Sequence, residues 1–383
     1  MKIAFANDVL YAYASEDAGA VGGAERQQWL LARALAQKGW EAVVGVRHKL
    51  KPGNRRTIDG VEFVGVGQDH ALIAWRRLLL SERPDWWYRR SADHLLGPAM
   101  EMAKWTGVRT IFSAAFDSDV LPRRALTRRQ RWWPLYAWGL ERADRIFVQH
   151  ERQLSLLPSR WRSKTVLVPS IAAETVTVKD HANRQKYVAW AAMLRQPKRP
   201  DLLIDIARKA PDLTFVVCGE PTAHRSPQGY GEKIVETLRS LPNVDYRGRV
   251  SPADARQIIA EAAAYLLTSD EEGFPNTFLE AWSGGTPVVS LQVDPGGTMA
   301  RERIGLVTGS TERTVSALRS LVDSPQQRQE IALRATHYVT GAHSEEAAIA
   351  AFELALLNPF DNPQSLQTTS VARDRSIRSH DAT

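Results

Sequence analysis

Along most of the chain, short apolar runs alternate with longer stretches in which apolar residues recur every three or four positions. The first spacing suits a strand buried on both faces, and the second a helix that buries one stripe. Lys2–Ala6, Glu41–Arg47, Val61–Val66, Asp85–Tyr88, Arg109–Ser113 and Arg145–Val148 read as strands. Between them, Ala24–Lys38 carries Trp29, Leu30, Leu31, Ala34 and Leu35 at helical spacing and stops at Gly39. Leu95–Thr106 and one long segment, about Thr127–Ala143, are further predicted helices.

After the polar stretch Lys179–Gln185 the same alternation restarts. Strands are predicted at Tyr187–Trp190, Leu213–Cys218, Val244–Arg247, Tyr265–Thr268 and Pro287–Ser290. Helices are predicted at Asp201–Lys209, Gly231–Ser240, Pro252–Ala263 and Asn276–Gly284, followed by three terminal ones. Apolar strands separated by helices imply parallel sheets covered on both sides, so the predicted fold is α/β, two Rossmann-like doubly wound domains in series. The boundaries are 1–178, 179–343, a terminal helix over 344–358 that crosses back to brace the first domain, and a disordered polar tail over 359–383. Ligands of such sheets sit beyond the carboxyl ends of the strands, which puts a site in the cleft where the two domains face each other.

Composition narrows the chemistry. The single cysteine, Cys218, excludes an intramolecular disulfide, and the nine histidines show no ligand spacing, so no metal is expected. No leader is visible and no run is long enough to span a bilayer, so the expected address is cytoplasmic. The net charge of +7 is unevenly placed. Residues 1–178 carry 27 Lys and Arg against 18 Asp and Glu, whereas the remainder carries 23 against 25. The first half is therefore expected to meet something anionic. Within it, Pro122–Trp138 sets Arg123, Arg124, Arg128, Arg129 and Arg131 beside Trp132, Trp133 and Trp138. That pairing suits an anionic membrane surface, on the inner face of the membrane, and suits equally a helix with snorkelling arginines. No nucleic-acid partner is expected.

The chemistry concentrates in Thr268–Ser290. A strand ends in an acidic loop, Gly273 permits close backbone approach to a ligand, and Asn276 is a suitable N-cap for the next helix, whose free amides face the cleft. Glu280 is expected in that helix's first turn and Glu272 on the loop. A second segment, Leu194–Ile204, presents Arg195, Lys198 and Arg199 after a strand. Near the start, Gly22 and Gly23 open the first long helix, and Asp294-Pro295-Gly296-Gly297 reads as a turn near the same ligand.

The segment Glu-Gly-Phe-x-x-x-x-x-Glu-Ala-x-x-x-Gly-x-Pro-Val-Val, running from Glu272 through Glu280, closely resembles the signature of the family-4 retaining glycosyltransferases of the GT-B fold. The resemblance extends over Gly22–Gly23 and from about Tyr187 to Leu356. It implies a UDP- or GDP-sugar substrate, no cofactor, and a glycan or lipid-linked acceptor, as in surface polysaccharide assembly. Glu280 would bind the donor ribose, Glu272 the transferring sugar, and the backbone at Gly273, Phe274, Asn276 and Thr277, with Gly22 and Gly23, the donor. Lys198 matches the family's basic pair. Its arginine partner normally stands five residues earlier, where this chain has Met193, so Arg195 takes the role with Arg199 in reserve. Many relatives place a histidine after the strand Arg109–Ser113; here Asp117 and Asp119 are the acceptor-side candidates. Two other readings compete: a nucleotide-sugar epimerase of the same architecture, and a non-catalytic sugar-nucleotide-binding protein.

Overall fold

The computed structural model describes residues 1–15, 22–126, 130–172, 180–223 and 225–357. Two parallel sheets form its frame. The first contains β1 (Lys2–Ala6), β2 (Glu41–Val46), β3 (Arg55–Ile58), β4 (Val61–Gly65), β5 (Trp86–Arg90), β6 (Arg109–Ser113), β7 (Arg145–Val148) and β8 (Thr165–Leu167), in the order β3-β4-β2-β1-β5-β6-β7-β8. The second contains β9 (Tyr187–Ala191), β10 (Thr214–Cys218), β11 (Val244–Gly248), β12 (Ala264–Leu267), β13 (Val288–Ser290) and β14 (Gly305–Val307), in the order β11-β10-β9-β12-β13-β14. Among the described residues only the β3–β4 pair is antiparallel. In each sheet the chain order reverses beside the first strand, the switch point that opens a crevice at the carboxyl ends.

Alternate residues of each strand enter different cores. On β1, Ile3 and Phe5 join one cluster and Ala4 the other; on β5, Trp86 and Tyr88 part from Trp87 in the same way. Phe215 and Val217 of β10 likewise face away from Val216 and Cys218. Helices cover both faces, and this is why the strands carry no polar alternation.

The structure adds elements that patterning does not predict: helices Asp8–Ala14 and Ala71–Glu82, and strands β3, β8 and β14. β3 is an exposed edge strand of sequence Arg-Arg-Thr-Ile and so has no apolar signature. The single long helix expected over Thr127–Ala143 does not form. Helices Pro122–Ala125 and Trp133–Arg142 stand on either side of a tight Gln130–Trp132 turn, and Pro134 is confined to the first turn of the second helix, where its missing N–H costs nothing. Thr127, Arg128 and Arg129 lie outside the described residues, as does the tail expected to be disordered. Among the described residues no helix is long and apolar enough to cross a membrane.

The chain crosses back at its end. The Glu345–Leu357 helix buries Ala348, Ile349, Phe352, Ala355 and Leu356 in the first domain's core. Phe352 meets the rings of Trp40 and Phe147 edge-on at 5.9 and 5.4 Å, and Trp40 donates to Glu353 at 3.0 Å.

Candidate active site

The cleft between the sheets is built by loops that follow β1, β6 and β7 on one side and β9 and β12 on the other. The β12 loop has glycine at 273 because the other domain presses on it. A Cβ there would collide with the Ala115 carbonyl and lie 2.5 Å from the terminal amide of Gln149. The close approach predicted at Gly273 is thus to the N-terminal domain. Phe274 follows, and its side chain is buried against Trp282 and the His343 ring, 4.5 Å away, so the side chain is taken up by packing.

Asn276 is the first residue of the Asn276–Ser283 helix, and Pro275, not Asn276, is the N-cap. Freed from capping, the Asn276 side chain reaches across the cleft. Its Nδ2 donates to the Gly23 carbonyl at 2.9 Å, and its Oδ1 accepts from Gln27 at 2.8 Å. Gln27 also exchanges two bonds with the backbone of Ile171. Gly22 caps the Gly23–Gln37 helix, and a Cβ on Gly23 would lie 2.8 Å from Asn276 Nδ2. Two helix N-termini therefore face one another across the cleft. Their partial positive ends repel unless an anion lies between them.

Carboxylates and cations crowd the same space. Glu280 stands in the second turn of its helix, not the first, is 8% exposed, and pairs with Arg26 of the opposing helix. Glu272 pairs with Lys198. Arg195 sits beside them with its Nε buried and lacking a hydrogen-bond partner. Burial pulls its pKa below the usual arginine range, Glu272 opposes that, and Arg225 adds to it. Arg195, Lys198 and Arg225, with Phe116, Asp270 and Glu271, line a cavity of about 230 Å³. Glu271 also closes the cleft by accepting from the Ser118 amide at 3.0 Å. Arg199 does not belong to this set. In a left-handed conformation, its guanidinium turns to Asp201 and Asp270 at 2.8 and 3.0 Å.

The two aspartates divide. Asp119 is 3% exposed and accepts from the amides of Ala115 and Phe116 at 2.8 and 3.1 Å, so it caps a turn and does not face an acceptor. Burial pushes its pKa up to about 6 against the pull of those amides. Asp117 faces the buried His150, whose Nε2 lies 3.2 Å from Asp117 Oδ1. His150 packs under Gly296 of the predicted Asp294–Gly297 turn, where an added Cβ would lie 3.1 Å from the His150 Cβ and 3.3 Å from its Nδ1.

Sequence reasoning did not assign Arg26, Gln27, Gln149, His150 or Arg225. Arg26 and Gln27 were within reach, because they follow Gly23 by one helical turn. The others come from loops whose folding back onto the cleft leaves no periodic trace.

This architecture is the GT-B fold. The sucrose-phosphate synthase of Thermosynechococcus elongatus superposes with a TM-score of 0.73 at 15% identity, covering 93% of this chain and 98% of that one. Anabaena HepE, solved with UDP and glucose, superposes with a TM-score of 0.71 at 14% identity over 93% of this chain and 99% of that one. In sequence, residues 185–324 match the family model of glycosyl transferases group 1. The D-inositol 3-phosphate glycosyltransferase of Mycobacterium sp. (strain KMS) is 28% identical over 214 residues, 51% of this chain and 45% of the relative. The match thus spans less than half the length of that relative.

Proposed function

We propose that the chain is a retaining glycosyltransferase that takes a sugar from a nucleoside-diphosphate donor without a metal ion. One observation carries the reading: Lys198, Arg195 and Glu272 meet in the cleft where two helix N-termini oppose each other, with Glu280 buried on the second of those helices. The match of residues 185–324 to glycosyl transferases group 1, and the names of the relatives, support it.

On this reading the donor diphosphate lies between the two helix ends. Lys198 and Arg195 neutralise the negative charge that grows on the leaving phosphate as the glycosidic bond breaks, which is the work a divalent cation does elsewhere. Glu280 exchanges Arg26 for the ribose diol, and Glu272 steadies the electron-poor sugar. In a front-face reaction the acceptor oxygen attacks from the side the diphosphate leaves, and a donor phosphate oxygen takes its proton. Asp117 and His150, held together opposite Gly296, border the acceptor side. Trp132 and Trp138, each 39% exposed, with the Arg131 guanidinium 5.4 Å over the Trp132 ring and Arg123 over Trp133, support contact with an anionic membrane surface.

A thermal-shift panel of UDP, GDP and ADP in the presence of a chelator tests the donor side. One diphosphate is expected to raise the melting temperature of the wild type, and Glu280→Ala to remove most of that rise. Stabilisation that requires added metal, or that survives unchanged in Glu280→Ala, contradicts the assignment.

A further inference from the structure

A second cavity, of about 290 Å³, opens at the carboxyl ends of β1, β2 and β5. It lies in the N-terminal domain and shares no lining residue with the cavity around Arg195 and Lys198. Its lining is unusual in charge. Arg47, Arg89 and Arg90 contribute three guanidinium groups, and Asp8 and Asp93 two carboxylates.

Arg89 is 8% exposed, with its guanidinium stacked 3.9 Å over the Trp75 ring and bonded to Asp93 at 3.0 Å. Burial lowers its pKa most, Asp93 raises it, and the charge of Arg47 across the cavity lowers it again. Arg47 and Arg89 thus repel each other across an open space, each with one carboxylate already engaged, since Asp8 holds Arg47 at 3.0 Å. Arg90 bonds to neutral partners, Ser113 Oγ at 2.9 Å and the Tyr88 hydroxyl at 3.3 Å. With the Gln149 amide turned to suit its neighbours, its oxygen also accepts from Arg90 at 3.0 Å. Gln149 abuts Gly273, so Arg90 spans from this cavity to the loop carrying Glu272. A cavity with one guanidinium more than its carboxylates, partly walled by tryptophan, favours an oxyanion held by charge-assisted bonds.

We infer that this cavity binds the anionic group, phosphoryl or carboxyl, of a small polyhydroxylated acceptor, and thereby presents one of its hydroxyls to the cleft. The inference rests on the transferase reading of the cleft and adds the acceptor's chemical class. Asp8 and Asp93 remain as acceptors for hydroxyl donors on the same molecule.

Calorimetric titration of the full chain with glucose 6-phosphate, glucuronate and glucose tests it, on wild type, Lys198→Ala, Arg47→Gln, Arg90→Gln and Asp8→Asn. At least one anionic sugar is expected to bind tenfold or more tighter than glucose, in wild type and in Lys198→Ala alike; which of the two wins assigns phosphoryl or carboxyl. Arg47→Gln and Arg90→Gln, each checked by its melting curve, are expected to weaken that binding about tenfold. Asp8→Asn keeps an acceptor for the Arg47 amide but removes a competing charge, and is expected to tighten it. Equal affinity for all three sugars, or anion binding lost in Lys198→Ala and untouched in Arg47→Gln, overturns the inference. Nucleoside-diphosphate binding is measured in parallel. Its absence would count against the transferase reading alone, because anion binding in Lys198→Ala does not depend on it.

Discussion

His343 joins the two domains through a single ring. Its Nδ1 faces the Ser170 carbonyl at 2.7 Å and its Nε2 the Tyr338 hydroxyl at 3.2 Å, a pattern that a neutral imidazole with the proton on Nδ1 satisfies completely. Burial pushes its pKa down to about 4 from 6.5. A base depressed in the folded state contributes stability that is present above 6.5 and lost as pH falls towards 4, about 3 kcal/mol in all. Urea melts at pH 7.5 and pH 4.5 are therefore expected to differ, and His343→Asn, which retains a donor for Ser170, to flatten the difference. An unchanged pH slope in that variant would mean that other groups carry it. At this scale the sequence was partly legible. Glu272, Glu280 and Lys198 stand in ordered local motifs and come together in the cleft. Their partners did not show, because Arg26 and Glu280 are 254 positions apart and the pairing is a tertiary event. Asn276 shows the same limit. Its side chain suits a cap, yet Gly23 and Gln27 of the other domain draw it away.

Among the elements, the strands were the most legible, since β6 and β7 fall where their apolar runs predict and most others within a residue or two. Such runs are buried on both faces, so packing and local preference agree. The failures are elements without that agreement: β3, polar at a sheet edge, and the segment around Pro134, where backbone chemistry breaks a helix that side-chain spacing favours. The last helix illustrates how packing overrides position in the chain. Phe352 is fully buried between Trp40 and Phe147, over 200 residues upstream in the case of Phe147. Truncation to Phe352→Ala is expected to cost about 3–5 kcal/mol. Because the helix belongs to the first domain's core, tryptophan fluorescence reporting on Trp40 should register the loss; a change below about 1 kcal/mol would show the helix to be dispensable there.

For the molecule as a whole, the consequence of this folding is a cleft that is closed by polar contacts rather than by a hydrophobic seam. Asn276 with Gly23, Glu271 with the Ser118 amide, and Glu280 with Arg26 each cross it. On the proposed reading a bound donor would replace the Glu280–Arg26 pair, and the cleft would open and close around it. The two cavities would then divide the labour: cations and helix ends for a diphosphate on one side, an arginine-lined recess for the acceptor on the other. The central claim is that this closed cleft breaks a sugar–phosphate bond. It is tested most directly by incubating the chain with a panel of UDP- and GDP-sugars and a chelator, and following release of nucleoside diphosphate without added acceptor. Slow release from one donor, abolished by Lys198→Ala and by Glu272→Gln in folded protein, is the predicted result. Tight nucleotide binding with no release from any donor, or release unaffected by either substitution, would contradict it.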